Sequence, residues 1–140
     1  MRVPGNLPVI GRMRFDVADL DNIQQTGQLS NVIIHEMGHV LGIGTLWNTF
    51  GFLQNPSPVG GPPLDTFHSG PNAIQGFNAI GGNTYTQGNK VPVENQFAAG
   101  TINSHWREGV LANELMTGFI NNGANPLSEL TVRCWRTSGT

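Results

Sequence analysis

Within LPVIGRMRFDV, apolar residues at Met13, Phe15 and Val17 alternate with polar ones, and this period of two predicts a half-buried strand over Leu7 to Val17. Asp16, Asp19 and Asp21 break the alternation, so a short helical turn is expected from Ala18 to Gln25, closed at Gly27. The period then lengthens. Ile33, Met37, Val40 and Leu41 recur at helical spacing, with Ser30 placed to cap the helix and Gly42 with Gly44 to end it. From Gly51 to Gly100 the pattern dissolves into irregular structure, with a short helix expected at Asn72 to Ile80 and a hairpin near Gly81 to Val93. Trp106 to Phe119 reads as mixed helix and turn, and Asn125-Pro126-Leu127-Ser128 leads into a final helix capped by Ser128. No internal repeat is visible.

Composition narrows what this pattern can serve. At 140 residues and 15.1 kDa the chain has room for one core. Its 19 glycines and 9 prolines concentrate between Gly51 and Gly100, which reinforces the reading of that stretch as loop. Charged residues make up 11% and the net charge is −2, so there is no basic field to gather phosphates or anionic lipid, and nucleic-acid partners are excluded. No apolar run approaches the roughly 20 residues of a membrane helix, and the opening MRVPGNLPVIGRMRF lacks a signal-peptide core. A single cysteine, Cys134, rules out an intrachain disulfide and a Cys-type zinc site.

The chemistry concentrates in HEMGH. His35 and His39 stand four apart, so on a helix both imidazoles leave the same face one turn apart, as a shared metal requires. Glu36 beside them suits a general base that takes a proton from water and later returns it to a leaving amine. Two nitrogen ligands point to Zn2+, which lowers the pKa of a bound water to about 7. With 4 histidines in the chain, a shuffled sequence would contain H-E-x-x-H with a probability of about 0.4%, so chance is a poor explanation. The plainer alternative is a core helix carrying two solvated histidines. Gly42, three residues after His39, permits a sharp turn with positive φ and suits the long form H-E-x-x-H-x-x-G. Thr45 stands where a shorter motif would place a third histidine, which leaves His68 and His105 as the remaining candidates. His68 lies among glycines and prolines in LDTFHSGPN, where a histidine is usually just exposed.

HEMGHVLGIGTLWN, VPVEN, SHWRE, NELMTG and NPLSELT follow one another in an order that resembles the leishmanolysin-type metzincins, with GRMRFDVADL upstream. That resemblance implies a zinc endopeptidase acting on protein or peptide substrates, secreted or at a cell surface. It makes His105 the third zinc ligand after a long insertion, Glu36 the catalytic base, and Met116 the methionine of a Met-turn beneath the three histidines. Asn113-Glu114 imitates the pair that supplies a glutamate ligand in other zinc peptidases, but Gly42 and His105 argue against that role. Trp47 and Trp106 are expected in the core.

The implied fold is α+β, a partial metzincin-like zincin with one strand, an active-site helix, a long loop-rich insertion, a Met-turn and a C-terminal helix. The chain is expected to form one incomplete catalytic domain: strand and active-site helix over 1–44, insertion over 45–104, and third ligand, Met-turn and C-terminal segment over 105–140. Family members carry strands upstream of GRMRFDVADL, so an incomplete sheet with exposed apolar surface is expected. They also continue after LSELTV with a helix ending in DLGY, and one set of codons for Arg133 to Thr140 spells LLADLGY in a shifted frame. The last eight residues are accordingly expected to be a frameshift product in which Cys134 and Trp135 carry no functional meaning. Two other readings remain: a catalytically inactive zinc-binding remnant or interaction module, and a deformylase-like hydrolase with a cysteine ligand, which the terminal position of Cys134 disfavours.

Overall fold

The computed structural model of the chain describes Pro8 and residues 10–137. Its elements in chain order are α1 (Val17–Gln25), α2 (Leu29–Leu41), β1 (Leu53–Gln54), β2 (Phe67–His68), α3 (Pro71–Ala79), α4 (Gly82–Thr86), β3 (Val91–Pro92), α5 (Glu108–Leu111) and α6 (Glu129–Thr137). The class is α+β, a small antiparallel sheet with helices around it.

The N-terminal strand is not realised over residues 10–16, although Pro8 takes part in an isolated bridge. Residues 10–16 carry no regular structure, and Leu7 and Val9 lie outside the described residues. An alternating pattern becomes a strand only where a partner takes up its amides and carbonyls; here Gly11 instead crosses α2 so closely that a side chain at that position would overlap Val40. Helix α1 matches its expected span. Asp16 accepts from the Ala18 amide at 2.9 Å as its cap.

Helix α2 starts one residue before Ser30, with Gln28 at the capping position, and neither Ser30 nor Gln28 supplies a side-chain cap. The chain arrives directly from α1 through Gly27 at φ 72°, which brings Gln28 rather than Ser30 to the helix entrance. The apolar stripe of α2 is not covered. Ile34, Met37 and Leu41 remain 45%, 47% and 40% exposed, and the one fully buried side chain of the helix is His35. With Leu127, Val132 and Trp135 they line an apolar groove of about 150 Å³ between α2 and α6.

The 45–104 segment holds the sheet. Leu53 pairs with His68, and His68 pairs with Val91, so three two-residue strands lie in the order β1-β2-β3. The expected hairpin over 81–93 does not form: Gly82–Thr86 is helical, and β3 pairs back to β2 rather than to its own neighbourhood. Helix α3 falls where its pattern placed it, with Pro71 in its first turn. Isolated bridges carry the sheet onward, from Val93 to Trp106 and from Trp106 to Thr117.

Trp47 and Trp106 meet at the centre of the core with ring centroids 4.4 Å apart, among Ile43, Phe77, Val91, Val93, Met116 and Leu130. Cys134 lies in the same cluster. It therefore has a packing role, and burial pushes its thiol up to about 12. Ser128 precedes α6, but its hydroxyl donates to Glu114 instead of capping the helix. No helix among the described residues is long and apolar enough to cross a membrane.

Candidate metal centre

Helix α2 presents His35 and His39 one turn apart, and Gly42 then takes φ 113° as its left-handed cap. That reversal carries Ile43 back toward the helix, where its carbonyl meets His39 Nδ1 at 2.9 Å. Gly44 follows at van der Waals closeness to another segment: a Cβ there would lie 1.9 Å from the Ser104 carbonyl oxygen. Only a residue without a side chain lets the turn settle against the backbone that precedes His105. Thr45 is exposed and donates its hydroxyl to the His39 carbonyl at 2.8 Å.

His105 arrives by long-range pairing. Its carbonyl accepts from the Glu94 amide at 2.8 Å, and the next residue, Trp106, donates its amide to the Met116 carbonyl at 3.0 Å. These ladders bring three ring nitrogens to one point. His35 Nε2 lies 3.2 Å from His105 Nε2 and 3.0 Å from His39 Nε2, and His39 Nε2 lies 2.9 Å from His105 Nε2.

The other ring nitrogens assign the protons. His35 Nδ1 meets the Leu115 carbonyl at 2.6 Å, His39 Nδ1 that of Ile43 at 2.9 Å, and His105 Nδ1 that of Thr101 at 3.0 Å. A carbonyl only accepts, so each Nδ1 carries a hydrogen, and the tautomer this selects turns the Nε2 lone pair inward. Three acceptors then face one another at about 3 Å with no donor between them. Burial keeps His105 uncharged, lowering it to about 3 with His39 adding to the effect, and His39 is lowered mainly by burial too. Neutral imidazoles whose Nδ1 groups are anchored to carbonyls form the donor set of a catalytic zinc, and two ligands of a tetrahedral zinc stand about 3.3 Å apart. His35, His39 and His105 are the group among the described residues whose ligand atoms could hold a metal ion, and they fit zinc.

Glu36 is half-buried on the same helix, close enough to His39 to raise its proton affinity slightly. Met116 is fully buried, and its sulfur occupies the space left by Gly38, where a Cβ would come within 2.6 Å of it. Gly38, between the two helix histidines, escaped sequence reading; a glycine inside a helical pattern costs about 1 kcal/mol and so signals a packing reason. His68 does not join the group. It sits in the core rather than in the exposed loop expected, with Nδ1 accepting from the Gly70 amide at 3.1 Å and Nε2 3.7 Å from Cys134 Sγ. Glu114 is also elsewhere: its carboxylate accepts from Met116 N, Ser128 N, Ser128 Oγ and Thr131 Oγ1.

A sequence model of the leishmanolysin family matches residues 3–139. No curated protein and no solved structure matches the chain.

Proposed function

The chain belongs to the leishmanolysin family of metallopeptidases, and from that premise we propose that it is a zinc endopeptidase whose metal is held by His35, His39 and His105, with Glu36 as general base. The observation that carries this reading is the convergence of three inward Nε2 lone pairs, each fixed by a carbonyl on the opposite side of its ring. Bound there, Zn2+ supplies Lewis-acid polarisation of a scissile carbonyl and a water whose pKa is about 7.

The chain's own groups do the rest. Glu36 takes a proton from the attacking water and returns it to the departing amine, a shuttle worth about 10²- to 10⁴-fold in rate. Gly42 turns the chain at the end of α2. Met116 forms the apolar floor beside the helix histidines, the part played by the methionine of a Met-turn, and its soft thioether adapts to the space beside Gly38. We read the whole as part of a metzincin-like catalytic domain, with helix α2 and the turn at Gly42 in 1–44, an insertion over 45–104, and the third ligand and Met-turn in 105–140. The family implies protein or peptide substrates, and a secreted or cell-surface location is part of the same proposal.

The uncovered apolar groove between α2 and α6 favours a second reading, an inactive zinc-binding remnant or interaction module. Metal content and peptide cleavage of wild type and Glu36→Ala separate the two. The endopeptidase predicts one zinc per chain in both proteins and a drop of about 10²- to 10⁴-fold in kcat/KM for the variant. Equal metal content with equal, negligible cleavage would establish the remnant.

A further inference from the structure

We infer that two buried carboxylates, Glu114 and Glu94, are positioning residues that each set one histidine of the centre: Glu114 fixes His35, and Glu94 fixes His105. The inference rests on the zinc reading above. Both side chains are almost fully buried, and the groups that meet their oxygens are amides and hydroxyls.

Glu114 Oε2 accepts from the Met116 amide at 2.6 Å, folding the chain tightly around Leu115. Its Oε1 accepts from the Ser128 amide at 3.1 Å and hydroxyl at 2.7 Å, and from Thr131, which ties that turn to the start of α6. The carbonyl so fixed is that of Leu115, the acceptor for His35 Nδ1 at 2.6 Å. Orientation of that carbonyl decides which nitrogen of His35 is protonated and where its lone pair points.

Glu94 brackets His105 from both sides. Its amide donates to the His105 carbonyl at 2.8 Å and its carbonyl accepts from the Asn103 amide at 2.9 Å. Its carboxylate holds Asn95 N and Gln96 N on Oε1 and reaches Glu108 N at 3.0 Å on Oε2, capping a short helix that has no side-chain cap of its own.

Glutamine is the informative substitution, because it keeps the shape but turns an amide NH2 toward N–H donors on one side of either carboxyl. Ring nitrogen resonances of histidine-labelled, metal-free protein report each tautomer separately, and zinc titrated against a competing chelator reports affinity. Glu114→Gln is expected to shift the His35 nitrogens and leave those of His105 unchanged, and Glu94→Gln to do the reverse. Each should weaken zinc binding by about 10- to 100-fold. Should a glutamine variant unfold by circular dichroism, Ser128→Ala or Glu94→Asp, each of which keeps a carboxylate in place, replaces it with the same required pattern. Variants that shift all three rings alike, or shift none, overturn the inference. Wild type that binds no zinc sinks the zinc reading instead, while the metal-free resonances still decide the positioning roles.

Discussion

The core around His68 and the centre around His105 hold two histidines of similar burial and opposite hydrogen bonding. Burial lowers both rings to about 3, so both are neutral at ordinary pH. What separates them is the group facing Nδ1. At His68 it is the Gly70 amide, a donor, which takes the Nδ1 lone pair and leaves a proton on Nε2 directed toward Cys134. At His105 it is the Thr101 carbonyl, an acceptor, beside a Ser104 hydroxyl that itself donates to the Gly100 and Thr101 carbonyls; the proton goes to that side and Nε2 is left free toward two more lone pairs. Desolvation alone therefore does not turn a lone pair toward a shared point; the polarity of the neighbour behind the ring does.

The sharpest way to break that contrast is to remove each ring. His105→Ala should abolish tight zinc binding, because a site with two protein ligands loses far more than the roughly 10- to 100-fold of a supporting contact. His68→Ala should retain the metal but lose about 3 kcal/mol of stability, since it empties a site packed against Trp47, Phe52 and Trp106. Metal-to-protein ratios and denaturant melts of both variants check this. The opposite pattern, zinc lost with His68 and kept without His105, would overturn the assignment of the centre.

Acid sharpens the comparison. Above pH 6.5 the folded and unfolded chains are both neutral at these rings, so they impose no pH dependence. Below it the unfolded chain binds protons that the folded one refuses until about pH 3, so stability falls as the pH falls through that window. Denaturant midpoints of metal-free protein from pH 7 to pH 4 should decline, and His68→Leu should flatten part of the decline without altering zinc binding at pH 7. A variant with an unchanged slope would show that His68 does not resist protonation.

A smaller effect is expected at Gly38. Gly38→Ala improves the helix by about 1 kcal/mol, but it drives a methyl group into Met116, an overpacking that costs about 1–3 kcal/mol. A net loss of up to about 2 kcal/mol in a denaturant melt follows. A stabilised variant would mean that Met116 moves aside freely and is no fixed floor.

Local signals were legible where local physics settles the outcome. H-E-x-x-H with Gly42 requires only a helix and a left-handed cap, and α1 and α3 are marked by Asp16, Gly27 and Pro71 within or beside their own spans. Within the expected strand of 7–17, residues 10–16 stay irregular, and the hairpin of 81–93 does not form, for one reason: a strand exists through its partner. Residues 10–16 run without a ladder, while Phe67 and His68 form one despite being too few to show any alternation. His105 and Met116 stood out only through family resemblance, since an isolated histidine and an isolated methionine carry no period. In sequence Glu94 stands out only as part of VPVEN and Glu114 only as an imitation of a glutamate ligand, because the donors that satisfy them lie up to 17 residues away and leave no local signal.

By itself, then, the sequence determined half of the candidate metal centre, because two imidazoles one helical turn apart need nothing beyond backbone hydrogen bonds between near neighbours. Only the tertiary structure decided which distant histidine faces that half-site and which is packed into the core. That choice depends on pairings across tens of residues, Val93 with Trp106 and Glu94 with His105, and on whether a carbonyl or an amide lies behind each ring.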